Sequence, residues 1–227
     1  MGALAQHLAR DVDVRLGEAV TELIRLPSGW RLRVGSGTAE AQVFHEADAL
    51  VIALPAAQCA PLLAPVSQLA RGLSEVNQAP CWAVMLSVRG TEHVAADVLE
   101  SRSGPIAWAA REGSKPGRRS SPEEELWTLH ASEEWSLAHL EDTPESVSAA
   151  LSEAFLAGHA ASATVTQQKA HRWRFARGRT SSESGGALFD EQAALAVCGD
   201  WLVSARVEGA LRSGLAAAGR MLSLCAQ

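Results

Sequence analysis

Between Ala196 and Leu222 the chain passes from a short apolar run through a Gly-Asp pair into a long segment of helical period, and this passage constrains the fold most. Ala196-Val197-Cys198 reads as a strand and Gly199-Asp200 as a turn. Val207, Ala210, Leu211, Gly214, Leu215, Ala218, Met221 and Leu222 recur at i, i+3, i+4 and i+7, which predicts one buried helical face. Gly209, Ala210, Ser213 and Gly214 leave the start of that helix lean, so its first turns suit close approach to a backbone or a flat ligand. The free N–H groups of the first turn and the positive end of the macrodipole favour an anion there, with Ser204 as the N-cap. A strand-turn-helix of this kind also occurs without a ligand, Asp200 then being a turn residue and the glycines packing residues.

The spacing Gly199-Asp200, Val207-Glu208-Gly209-Ala210 and Ser213-Gly214 resembles the C-terminal flavin-binding segment of FAD-dependent amine oxidases, and of the renalase-like oxidoreductases within that group. The resemblance implies that Asp200 takes hydrogen bonds from the ribityl and pyrophosphate part of FAD. It also implies that the helix aims its N-terminus at the isoalloxazine, with Gly199, Arg206, Val207 and Ala210 beside the cofactor.

The rest of the chain keeps the order of that family. A short helix, Gly2 to Arg10, precedes extended segments at Val12 to Leu16 and Ala19 to Leu26. Pro27-Ser28-Gly29 is a turn, and Trp30, Leu32 and Val34 alternate with Arg31 and Arg33 as a half-buried strand. A further strand at Ala41 to Phe44 leads to Ala49 to Leu54, an apolar run closed by Pro55 that reads as a strand buried on both faces. In renalase-like proteins the matching positions contact the cofactor, which places Val20, through its backbone, and Ala53-Leu54-Pro55 at FAD. Pro61 and Pro65 mark short helical turns between Ala56 and Leu73.

Cys81 to Val88, Ile106 to Ala110 and Glu125 to Ala131 read as strands. The polar loop Gly113 to Pro122 carries a cationic cluster and reads as a solvated hairpin loop. Thr143 caps a helix with Pro144 at its first position and Val147, Leu151, Ala154 and Phe155 as its buried stripe. Gln168 to Ala176 is another strand, and the Ser/Gly-rich stretch Gly178 to Gly186 returns the chain to its opening strand. Ser114-Lys115-Pro116-Gly117-Arg118, Trp127 to Ser132, Trp135-Ser136 and His171-Arg172-Trp173 resemble the substrate domain of bacterial renalase-like proteins.

The formal charge of −6 over 227 residues, with no dense Lys/Arg block, argues against a nucleic-acid surface. No apolar run approaches the roughly 20 residues that span a bilayer, and the N-terminus lacks the pattern of a signal peptide, so a cytoplasmic protein is expected. Cys59, Cys81, Cys198 and Cys225 have no metal-ligand spacing and read as buried free thiols. The histidines lack HExxH or other short metal spacing, and Gly35-Ser36-Gly37 has the wrong spacing for a serine-hydrolase elbow. Trp82, Trp108, Trp127 and Trp173 are core positions by default, and aromatic lining of a flat-ligand pocket is the functional alternative. Trp108, His130 and Trp173 are the candidate substrate wall; no catalytic acid or base is assignable.

These readings combine into a mixed α/β chain: an incomplete FAD/NAD(P)-binding Rossmann-like domain, residues 1–57 and 188–227, with a mixed-sheet substrate domain, residues 58–187, inserted between its halves. The strand, Gly-x-Gly-x-x-Gly turn and helix that open such a cofactor domain do not occur in the sequence. A weak or incomplete FAD site, or a chain stabilised by pairing with another copy, is therefore expected. The resemblance implies a flavin-dependent oxidoreductase that oxidises a dihydronicotinamide isomer or an amine and passes electrons to oxygen. The alternative is a non-catalytic remnant or interaction protein.

Overall fold

The computed structural model describes residues 2–35, 43–118, 124–178 and 185–225. The chain divides into two compact units, Met1–Val76 with Thr180–Gln227 and Asn77–Arg179. Residues 58–76, grouped with the substrate domain in the sequence reading, fold in the first unit, because Cys59, Leu63 and Leu73 complete its core. Ser36 and its neighbours, the start of the strand expected at Ala41, the end of the cationic loop, most of the Ser/Gly-rich connector and the side chain of Cys225 lie outside the described residues.

The first unit opens with α1 (Gly2–Leu8), followed by a meander of β1 (Ala19–Arg25), β2 (Trp30–Gly35) and β3 (Val43–Ala47), paired antiparallel in that order. The stretch expected to be extended at Val12 to Leu16 is not a strand, and Val12, Val14 and Leu16 stand exposed. Gly29 turns the first hairpin at φ +88°, and a Cβ there would sit 2.4 Å from the Ala47 carbonyl oxygen, so the turn accepts only glycine. Trp30 follows it into the core, fully buried, with its indole N–H donated to the Ala193 carbonyl at 2.8 Å.

Next come β4 (Leu50–Ile52) and α2 (Ala56–Leu63). The strand is shorter than its apolar run and is not buried on both faces: Val51 is 44% exposed. Among the described residues β4 pairs on one side only, with β11.

The second unit contains β5 (Gln78–Arg89), β6 (Val98–Glu100), β7 (Ile106–Arg111), β8 (Glu125–Ala131), α3 (Glu133–Ala138), α4 (Pro144–His159) and β9 (Thr164–Gly178). Its strands form one sheet in the order β6-β7-β8-β5-β9, antiparallel at every pairing rather than mixed. As the sequence predicts, the Thr143 hydroxyl accepts the Ser146 N–H at 3.2 Å and Pro144 opens α4. Val147, Leu151 and Phe155 of α4 bury against Trp82, Val84, Leu86, Trp127 and Leu129 of β5 and β8. Period-2 alternation then sends the intervening residues of β5, β7, β8 and β9 to the opposite sheet face.

The chain returns to the first unit with β10 (Ala187–Asp190), β11 (Leu195–Cys198) and α5 (Val207–Cys225). Strand β11 pairs antiparallel with β10 and parallel with β4. It is buried throughout and feeds two cores by alternation. Leu195 and Val197 pack with Trp30, Ile52 and Trp201, while Ala196 and Cys198 pack with Ala217 and Met221 of α5.

Helix α5 corrects the sequence reading of its buried face. The residues turned inward are Gly209, Ser213, Ala217 and Met221, whereas Val207, Leu211, Leu215 and Leu222 are 43%, 49%, 63% and 72% exposed. Both stripes have helical period. The lean stripe wins the interior because small side chains let the helix lie close to β10 and β11, leaving the larger apolar stripe outside.

Candidate functional site

In the first unit the parallel pairing of Ile52 with Val197 brings the carboxyl ends of β4 and β11 side by side. Ala53-Leu54-Pro55 leaves one strand there and Gly199-Asp200 the other. In open α/β sheets this edge is where ligands are bound. The Leu54 carbonyl ties the two ends together, accepting the Trp201 indole N–H at 3.2 Å and the Cys59 thiol at 3.3 Å. Burial pushes the Cys59 thiol up to about 11, so it stays protonated as a donor. Gly199 is required by the same arrangement: a Cβ would sit 2.3 Å from the Trp201 indole nitrogen.

From Gly199 the chain runs through a 3-10 turn, Asp200–Leu202, and a short loop into α5. The Gly199 N–H is donated to the Ser213 hydroxyl at 2.8 Å, and that hydroxyl donates to the Gly186 carbonyl at 2.5 Å. The end of β11, the start of β10 and the second turn of α5 are thus held by one buried side chain. The helical ladder opens with the Ala210 N–H on the Arg206 carbonyl at 3.1 Å, which leaves the N–H groups of Val207, Glu208 and Gly209 ahead of it. Ser204 does not occupy the N-cap. The helix begins at Val207, and Ser204 instead folds back over the first turn, where a Cβ on Gly209 would meet its carbonyl oxygen at 2.1 Å. The lean start of the helix therefore accommodates the chain's own backbone at Gly209.

Asp200 is half-buried, and burial raises its pKa from 3.8, offset in part by backbone N–H groups of its own residue and Trp201. A partly desolvated carboxylate beside N–H donors, at the open end of two parallel strands, fits the polyol chain of a flavin nucleotide: the carboxylate accepts from hydroxyls and the N–H groups face negative charge. Arg206, Val207 and Ala210 stand exposed at the same helix end. Val20 lies in a separate sheet, on the edge strand β1 opposite Val34, where the register shifts between Val20 and Glu22.

The second unit collects the other three candidates on one surface. Trp108 lies opposite His130, His130 opposite Ala83, Ala83 opposite His171, and Trp173 opposite Cys81. Cross-strand partners share a face, so Trp108, His130 and Trp173 all lie on the side of the sheet away from α4. The Trp108 and His130 rings pack with centroids 4.9 Å apart, and Trp173 meets His171 edge-on at 4.4 Å. Only the first pair lines a cavity formed by residues of this unit; Trp173 is 54% exposed and is not among its lining residues. Trp82 and Trp127 are core residues. Burial first, then Arg177 and Lys115, hold the His130 pKa below 6.5, so the imidazole is neutral at neutral pH.

Sequence reasoning missed Trp201 and Arg177, and named Ser213 in the lean start of the helix without its bridging role. The signal for Ser213 was a small polar residue in the lean stripe; no local pattern marks the other two. Among the described residues no His, Cys, Asp and Glu cluster could hold a metal ion, and no helix is long and apolar enough to cross a membrane.

A family model described as flavin containing amine oxidoreductase matches residues 1–222. Solved structures similar in fold include a protein provisionally named a protoporphyrinogen oxidase from Exiguobacterium sp. 255-15, at TM-score 0.69 and 13% identity over 98% of this chain and 51% of that one. Cyclohexylamine oxidase from Brevibacterium oxydans IH-35A matches at TM-score 0.61 and 16% identity, over 97% and 51%. An oxidoreductase from Methanosarcina mazei matches at TM-score 0.58 and 15% identity, over 93% and 49%. The chain spans about half the length of these proteins.

Proposed function

Because the chain belongs to the flavin containing amine oxidoreductase family, we propose that it carries one half of an FAD site together with the substrate domain of a flavin-dependent oxidoreductase. The observation that carries this is the meeting of Leu54-Pro55 with Gly199-Asp200 at the carboxyl ends of β4 and β11. Asp200 accepts from the ribityl chain, and the first turn of α5, with Gly199, Arg206, Val207 and Ala210, faces the polar side of the cofactor. Ala53, Leu54 and Pro55 form the wall beside it, and the edge backbone at Val20 supplies a further contact. FAD, when bound, supplies a two-electron acceptor that oxygen reoxidises.

Within the family the renalase-like branch is the reading that Ser114 to Arg118, Trp127 to Ser132 and His171-Arg172-Trp173 support. The substrate is then a reduced nitrogenous compound, a dihydronicotinamide isomer or an amine, held by Trp108 and His130, with Trp173 on the same face of the sheet. A cytoplasmic location accompanies this reading. The exposed stripe Val207, Leu211, Leu215 and Leu222 supports pairing with a second copy through α5.

The visible spectrum of the purified chain after incubation with excess FAD and gel filtration tests the proposal. Retained flavin bands, reduced in the Asp200→Ala variant at unchanged circular dichroism, are expected. A chain that retains no flavin under these conditions overturns the half-site and leaves the non-catalytic reading.

A further inference from the structure

The cavity of the second unit carries a charge pattern that the family's amine substrates do not call for. It has a volume of about 530 Å³, and its lining includes Trp108, His130, Arg102, Arg177 and Glu100. Neighbouring cations of this unit are neutralised: Arg111 pairs with Glu125, Lys115 with Glu112, and Arg172 and Arg174 with Glu141. Among the described residues, Arg102 and Arg177 take part in no ion pair. Glu100 is the one carboxylate of the lining, so with a neutral imidazole the wall keeps a net positive charge.

The flat part of the wall is the packed pair Trp108 and His130. Lys115, paired with Glu112, places its ammonium 5.8 Å from the Trp108 ring centroid. A planar ring lies well against such a wall by stacking. A guanidinium offers paired N–H donors that match a carboxylate or phosphate. An alkylammonium entering the same space would face two guanidinium groups that no carboxylate of the described residues pairs.

We infer that this cavity binds a planar ring bearing an anionic group, a carboxylate or a phosphate, and discriminates against a cationic amine. The ring lies on Trp108 and His130, and Arg102 and Arg177 hold the anionic group. This deepens the proposed function, on which it rests for its part in a reaction, but the binding itself needs no flavin.

The experiment is a tryptophan-fluorescence titration of the full chain, free of flavin, with nicotinate, phenyl phosphate, inorganic phosphate and benzylamine. Saturable quenching by nicotinate or phenyl phosphate, weakening as salt rises, is expected, and the stronger of the two identifies the anionic group. Inorganic phosphate should compete weakly, and benzylamine should not bind. Paired Arg102→Ala and Arg177→Ala substitutions should raise the dissociation constant about tenfold or more. Trp108→Phe should remove most of the quench. Equal or tighter binding of benzylamine, no saturable binding of either ring anion, or an affinity unmoved in the double arginine variant overturns the inference. Both arginines are exposed, so their loss should leave the fold intact; Arg102→Glu with unaltered circular dichroism and unaltered nicotinate affinity would overturn it independently. Because flavin is absent throughout, a chain that retains FAD yet prefers benzylamine rejects this inference alone, and one that binds nicotinate yet retains no FAD rejects only the half-site.

Discussion

Gly199 and Ser213 are joined by a backbone N–H donated to a buried hydroxyl at 2.8 Å, across fourteen residues. The same hydroxyl reaches the Gly186 carbonyl, so one serine satisfies a donor and an acceptor at the mouth of the first unit's sheet. A buried backbone group without a partner is costly, which makes this side chain more than a filler.

Ser213→Ala should therefore lower stability by about 1–3 kcal/mol, the cost of leaving buried polar groups unpaired. Urea unfolding of the first unit should show it as a lower midpoint at unchanged slope. A midpoint equal to that of the parent chain would mean that water or another group replaces the hydroxyl.

Two glycines of α5 should respond with opposite signs. Gly209→Ala drives a Cβ against the Ser204 backbone and should destabilise by about 1–3 kcal/mol. Gly214→Ala meets open space and should stabilise by about 0.5–1 kcal/mol through helix propensity. Thermal melts of the two variants check the ordering, and similar shifts in both would contradict the close approach of Ser204.

Asp200 has its pKa raised from 3.8 by burial. Its contribution to stability is fully present below 3.8 and is lost as pH rises through the folded-state value, so at neutral pH the ionised side chain costs the free chain stability. Asp200→Asn should raise the melting temperature at pH 7 and flatten its dependence on pH above 3.8, while lowering flavin retention. A variant less stable than the parent at pH 7 would contradict the sign.

His130 is displaced the other way. Burial, Arg177 and Lys115 together lower its pKa from 6.5, so its contribution to stability is complete above 6.5 and is lost as pH falls toward the folded-state value. Arg177→Gln should move the imidazole resonance midpoint upward in an NMR titration without returning it to 6.5, because burial is the largest cause. An unmoved midpoint would remove Arg177 from the neighbourhood of the ring.

Local patterning made the elements legible where one face is wet and the other dry. Thr143-Pro144 announces α4, and the alternation of Glu125 to Ala131 gives β8 to the residue. The same logic failed at α5, where two stripes share the helical period and composition alone favours the larger one. It also failed at β4, whose apolar run reads as doubly buried while Val51 stands exposed at a strand paired on one side. Of the candidate site, Gly199, Asp200 and Leu54-Pro55 are named from spacing and resemblance, and the structure brings them to the carboxyl ends of β4 and β11. Trp201 and Arg177 were not, since each acts on a residue far away in sequence.

What the sequence by itself determined is the set of elements and their order, because turn chemistry, capping and periodicity act over a few residues. Which stripe of α5 faces inward, and which tryptophans are core and which line a cavity, only the tertiary structure decided. Those choices depend on the distance at which a helix can approach a sheet and on which strands become neighbours, and both are properties of packing between segments that no short stretch of chain contains.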